Sequence, residues 1–210
     1  MPDAAAARDY FQALADQGRA VMDRLPIEAE IHPIARTFAT LRPAIAARRA
    51  ETSRAWRALP RPARLARRGD DPPVGMNSVG ILADRLTILI CKEWYVRHRY
   101  RDTARAEAIR AEHIADVVAC LARAHPGHAA LLAKVSPIGV DGACEDFVDA
   151  YYDLLGANVL MWETQELLYT RDMEAVPADE LRDYIRFFSS ANMLRNRRIS
   201  ECERLYWAGA

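Results

Sequence analysis

The chain has 210 residues, 51% hydrophobic and 28% charged, enough for one well-buried domain (1–210) and short for two. Its formal net charge is zero, so no overall field draws it toward nucleic acid or an anionic membrane. The four cysteines, Cys91, Cys120, Cys144 and Cys202, stand far apart in apolar stretches without a Cys-x-x-Cys pair, which fits reduced thiols in a cytoplasmic protein rather than a disulfide framework.

The first residues, MPDAAAARDYFQALADQ, carry charge where a signal peptide needs an apolar run, and no segment is apolar for long enough to span a membrane. The pattern predicts a helix from Asp3 to Leu25, capped by Asp3, with Tyr10, Leu14, Val21 and Leu25 roughly on one face and an end at Pro26. Helical spacing resumes from Ile27 to Leu59, and Pro33 and Pro43 predict breaks near both: one kinked helix or two short ones. Residues 60–73, PRPARLARRGDDPP, read as an exposed connector. Between Arg42 and Arg68 stand nine arginines and one acid, Glu51, whereas Asp141 to Asp183 holds twelve acids and two arginines. The arginines fit a solvated face, an anionic partner, or attraction to the acidic half within one chain or across a homodimer.

The segment 78–100, SVGILADRLTILICKEWYVRHRY, is apolar on nearly every side and predicts a buried central helix. Its polar residues Asp84, Arg85, Thr87, Lys92 and Glu93 therefore need partners. Asp102 can cap a helix reaching Ala124, stopped by His125-Pro126-Gly127; a short helix at 128–135 and a turn at 136–142 follow. Two long helices close the chain, 143–170 and 178–207, joined by a loop around Pro177 short enough to make them antiparallel neighbours. No segment alternates as a strand does, so the fold class is all-α, a helical bundle around 78–100 with two long antiparallel C-terminal helices.

Both long helices carry polar residues in their apolar stripes. The first reads Cys144, Val148, Tyr151, Leu155, Asn158, Trp162, Gln165 and Tyr169, with Glu166 at the edge; the second reads Leu181, Tyr184 or Ile185, Phe188, Asn192, Arg195, Ile199, Cys202 and Tyr206. Counting from the loop puts Asn158 level with Asn192 to within about one turn, or about 5.4 Å. Asp84 is then the natural partner of Arg195. The inset is either a hydrogen-bonded network that fixes helix register or a pocket for an anion. No Glu-x-x-His occurs, which argues against a di-iron bundle, and the scattered Cys and His argue against zinc. No metal and no cofactor are expected.

The series Ser78-Val79-Gly80, Asp84-Arg85-Leu86-Thr87-Ile88-Leu89 with Lys92, Asn158 and Trp162 leading to Gln165-Glu166, and Asn192-x-x-Arg195-Asn196-x-x-Ile199 resembles the motifs of uncharacterised bacterial helical families found near glycosyltransferase and surface-polysaccharide genes. It covers about 74–203. The chain departs from that pattern at Ile90 and Gln165, where acids are expected. The resemblance implies a helical fold and a glycan context. On this reading an anionic small molecule, a nucleotide sugar or sugar phosphate, sits in the inset, held by Lys92 and Arg195. Asn158, Asn192 and Asn196 read its hydroxyls, Trp162 stacks on a sugar, and Asp84 or Glu166 is the catalytic base if there is a reaction. The alternative is an accessory protein that docks on a partner enzyme or on itself.

Overall fold

The computed structural model describes residues 4–27, 34–62, 78–124 and 144–208, and these are all helix and turn. In chain order the elements are α1 (Ala4–Met22), α2 (Ile34–Arg57), α3 (Val79–His98), α4 (Thr103–Ala108), a π-helical segment (Ile109–Ile114), α5 (Ala115–Leu121), α6 (Phe147–Thr170), a 3-10 turn (Met173–Ala175) and α7 (Ala178–Ala208). α4, the π segment and α5 run on without a break as one rod.

α3 starts where Ser78 stops being helical: its Oγ accepts the backbone N–H of Ile81 at 3.4 Å, satisfying one of the donors that a helix start leaves open. From there Val79, Leu82, Ala83, Leu86, Leu89, Ile90 and Val96 are buried around the whole circumference. Removing such Leu and Ile side chains from water stabilises the fold by about 1.5–3 kcal/mol each. α6 is enclosed in the same way from Phe147 to Leu167, so the bundle has two central helices rather than one. Its N-terminus is capped by Asp146, whose Oδ1 accepts from the N–H of Asp149 at 2.9 Å.

Side-chain pairs give the directions. Asp84 faces Asn158 while Tyr95, further along α3, faces Glu163, further along α6, so these two helices are parallel. α1 runs with them: Phe11 stacks edge-on against Phe147, and Trp94 at the far end donates to Asp23, just past α1. α2 runs the other way, with Trp56 against Tyr151 and the Ile45 carbonyl accepting from Tyr152 Oη at 2.8 Å. α7 is also antiparallel to α6, as the sequence predicts, and the short loop is pinned by Arg171 to Glu180 at 2.6 Å. Glycines set two close approaches: a Cβ on Gly18 would come 2.9 Å from Ile90 Cδ1, and one on Gly156 would come 2.8 Å from Ile45 Cγ2.

Several expectations need correction. At Pro43 the single-helix alternative holds: α2 continues through it, because the carbonyl that loses its donor, that of Ala39, lies on an exposed face where water can replace the bond. α1 ends at Met22, and Asp23 to Leu25 form a turn. α6 begins at Phe147, not near 143, and α5 ends at Leu121. Tyr169 does not face inward, being 79% exposed, and of the alternatives Tyr184 and Ile185 it is half-buried Tyr184 that keeps the stripe, Ile185 being 64% exposed. Gln165 is only half-buried. The cap at Asp3, the break at Pro33, most of the 60–73 connector and the elements expected at 125–143 lie outside the described residues.

Candidate functional site

The inset forms where α3, α6 and α7 meet. Arg195 holds both carboxylate oxygens of Asp84, Nε to Oδ1 at 2.7 Å and Nη2 to Oδ2 at 2.5 Å. Asn158 Nδ2 donates to Asp84 Oδ1 at 3.1 Å and to Thr87 Oγ1 at 2.8 Å, and Thr87 Oγ1 donates to the Asp84 carbonyl at 2.9 Å. The hydrogen bonds to Asp84 push the Arg195 pKa up against the opposing effect of burial. The Asp84 carboxylate thus accepts three hydrogen bonds, and through it α3 is tied to both α6 and α7.

The remaining inset candidates do not join this layer. Lys92 stands two turns beyond Asp84 on α3, about 12 Å along the axis, half-buried. Asn192 and Asn196 flank Arg195 on α7, half-buried, and neither bonds to Asp84 or Asn158. Trp162 and Glu166 belong to a second cluster, about one and two turns further along α6 than Asn158. There Tyr95 and Arg99 both donate to Glu163 Oε1, Arg99 at 2.8 Å, and Tyr100 Oη donates to Glu166 Oε2 at 2.5 Å. Trp162 lies flat on Tyr95, centroids 5.4 Å apart, so that face of the indole is taken by protein. Burial raises the Glu163 pKa above the usual range, and the bonds from Tyr95 and Arg99 only partly offset it.

Sequence reasoning missed the buried charges that lie off the apolar stripes. Glu203 of α7 reaches the start of α3, accepting from the Gly80 N–H at 2.9 Å and from Trp207 Nε1 at 2.9 Å, a carboxylate at the positive end of a helix. Arg198 pairs with Asp153 at 3.0 Å and Glu201 at 2.5 Å. On the other side of Asp153 stands Arg49 of α2 at 2.9 Å, and Arg57 joins Asp146 at 2.5 Å and Asp149 at 2.8 Å. Part of the arginine-rich segment is therefore paired with the acidic half inside the chain. The buried thiols Cys91, Cys144 and Cys202 have pKa values pushed up by desolvation, Cys144 to about 12, and are poor nucleophiles near neutral pH.

A cleft of about 640 Å³ lies elsewhere, between α1, the last turns of α3 and the α4–π rod. α3 contributes Glu93, Trp94, Arg97 and His98; α1 and the turn after it contribute Arg19 and Asp23; the rod contributes Glu107 and Arg110. Glu93 is buried to 3% side-chain exposure and is approached by Arg97 at 3.4 Å and Arg19 at 3.7 Å. Asp16 pairs with Arg19 and, at 3.6 Å, with Arg110. Asp23 holds Trp94 Nε1 at 3.0 Å and lies 3.7 Å from His98, which stacks on Trp94. Burial lowers the Arg19 pKa, and the like charge of Arg110 adds more to this than that of Arg97, against the attraction of Glu93 and Asp23. Arg19 Nη1 is buried without a hydrogen-bond acceptor. Arg110 sits in the π-helical segment, a feature that re-aims side chains and is frequent at functional sites. The interleaved acids and arginines gave no periodic signal, so nothing in the spacing marked this cleft out.

Among the described residues no three His, Cys, Asp or Glu side chains gather closely enough to hold a metal ion, and no helix is long and apolar enough to cross a membrane. Comparison with protein-family models, with curated proteins and with solved structures finds no match.

Proposed function

We propose that this helical bundle binds an anionic small molecule of the sugar phosphate or nucleotide sugar class, and that the site is the cleft between α1, α3 and the π segment rather than the Asp84 inset. The observation that carries the reading is the convergence of Arg19, Arg97 and Arg110 on one cleft of about 640 Å³. That volume falls within the usual range of small-molecule sites, about 300–1,000 Å³. Each guanidinium offers five N–H donors in a fork that suits phosphate and carboxylate. Here those donors outnumber their uses: Arg97 makes one long bond to Glu93, Arg110 one long pair with Asp16, and Arg19 Nη1 none.

Among the acids, Glu93 faces two guanidinium groups, with its Oε2 buried 3.7 Å from Arg19 Nε and not hydrogen-bonded, and Asp23 holds Trp94 and His98. Exposed Glu107 is left to accept from the hydroxyls of a polyol, while the arginines take the anion. Arginine for phosphate, carboxylate for hydroxyl and an indole beside them is a chemistry suited to a phosphorylated sugar. The motif residues shared with families near polysaccharide genes lie in and around the inset, so for the cleft the resemblance adds only the context of bacterial glycan biosynthesis. The inset then serves as a register lock for the three helices that carry the cleft.

Thermal-shift titration with glucose 1-phosphate, uridine diphosphate glucose and inorganic phosphate tests this. A ligand at 100 times its dissociation constant adds about 2.7 kcal/mol, a readable rise in melting temperature. The gain should vanish in Arg110→Ala, whose side chain is half exposed and carries little of the fold. No shift with any of the three, or a shift kept in Arg110→Ala, contradicts the assignment.

A further inference from the structure

We propose that the chain forms a two-fold dimer with a second copy of itself through the α6–α7 end of the bundle and the adjoining outer face of α2. The inference is independent of the cleft. Of the three large apolar side chains that stand exposed among the described residues, two, Tyr169 and Ile185, are at this end. Residues 178–190 of α7 include no buried position, so about 20 Å of helix projects past the core with its aromatic side half-covered. Its half-buried aromatics are held in place: Phe187 packs on Phe38 of α2 at 4.4 Å and Tyr184 stacks on Phe188 at 5.3 Å. An ordered apolar surface of this kind, rimmed by charge, marks an interaction site.

Charge identifies the occupant. The tip is net acidic: exposed Asp172, Glu174, Asp179 and Asp183 outnumber exposed Arg182 and Arg186, of which Arg186 lies 3.9 Å from Asp183. The outer side of α2 carries exposed Arg42 and Arg54, neither in an ion pair among the described residues, where Asp153 and Asp149 of α6 engage Arg49 and Arg57 instead. Exposed Ala39, Ala46, Ala47 and Ala50 beside them let another backbone come close. Through Phe38 and Phe187 the acidic tip and the basic helix face lie side by side in one chain. A partner of a single sign would match only half of that surface. A second copy turned about a two-fold axis through the seam matches both halves at once, each acidic tip against the other chain's α2 arginines.

Sedimentation velocity on the full chain decides it. At a concentration on the order of 100 µM and low salt the chain should run as a dimer, with dissociation promoted by salt, which screens exposed charges beyond about 3 Å at 1 M. Ile185→Asp should weaken the dimer by about tenfold or more without changing the helical circular dichroism. The sharper test is a charge swap between two chains, one carrying Arg42→Glu with Arg54→Glu and the other Glu174→Arg with Asp183→Arg. Each alone should be monomeric, since like charges then face each other, and an equal mixture should restore the dimer. A monomeric wild type at this concentration, a dimer indifferent to Ile185→Asp, or a mixture that stays monomeric overturns the proposal.

Discussion

The Cα of Gly80 faces the backbone carbonyl of Ile199 so closely that a Cβ added to Gly80 would lie 2.2 Å from that oxygen. The contact is backbone against backbone, so no side-chain rotation can relieve it, and α3 would have to back away from α7. The same motion would pull the Gly80 N–H from Glu203. Gly80→Ala should therefore cost about 3 kcal/mol, the upper part of the range for overpacking, measured as a fall in the urea midpoint. A change within about 0.5 kcal/mol, the spread usual for surface positions, would show that the helices are not so closely apposed.

The Arg195 to Asp84 pair predicts a loss of stability of a different origin. Removing the guanidinium strands a buried carboxylate, which costs about 3–5 kcal/mol for a fully buried pair and less here because Arg195 remains about a quarter exposed. Arg195→Ala should lower stability by about 2–3 kcal/mol. The double variant with Asp84→Leu should recover part of that loss, since the stranded charge is then gone. Equal stability of the single and double variants in urea unfolding would mean that Asp84 is hydrated and not stranded.

Glu163 gives a pH dependence with a definite sign. Burial raises its pKa in the folded chain above the ordinary glutamate value, so between the unfolded and folded values the native state holds more protons than the unfolded one. Stability from this group is present at the acidic end of that window and is lost as pH rises through it. The melting temperature of wild type relative to Glu163→Gln should therefore fall as pH is raised from about 4 to 7. A difference that grows with pH would mean that the Arg99 and Tyr95 bonds outweigh burial.

The thiols can be read chemically. Cys91, Cys144 and Cys202 are buried and held protonated at neutral pH, so a thiol reagent should label them slowly in the native chain and fast in urea. Half-buried Cys120 should be the first to react. Fast native labelling of Cys144 would place it at the surface.

Much of the architecture was legible because helical spacing is a strong signal where one face of a helix is buried. The all-α class, the central 78–100 segment, the antiparallel C-terminal pair and the Asp102 cap all follow from it. So does the meeting of Asp84, Asn158 and Arg195, since each is a polar residue set among apolar ones in a helix that has to be buried there. The same reasoning failed on α6, which is buried all round: no stripe exists there, and Gln165 and Tyr169 were assigned to one. It failed on the first half of α7 because that half leaves the core, so the apolar character of Ile185 marks an exposed surface. Glu163, Arg198, Glu201 and Glu203 lie off the stripes, and only the fold brings their partners to them. The cleft drew residues from α1, α3 and the π segment, at spacings no local pattern links.

The central claim is that the ligand site is the arginine cleft and that the inset is structural. The most direct measurement is a calorimetric titration of glucose 1-phosphate into wild type, Arg110→Ala and Arg195→Ala at one temperature well below all three melting points. A ligand held by the arginine cleft should bind wild type, bind Arg110→Ala at least about tenfold more weakly, and bind the less stable Arg195→Ala within a few-fold of wild type. Binding that survives in Arg110→Ala and disappears in folded Arg195→Ala would contradict it and return the ligand to the inset.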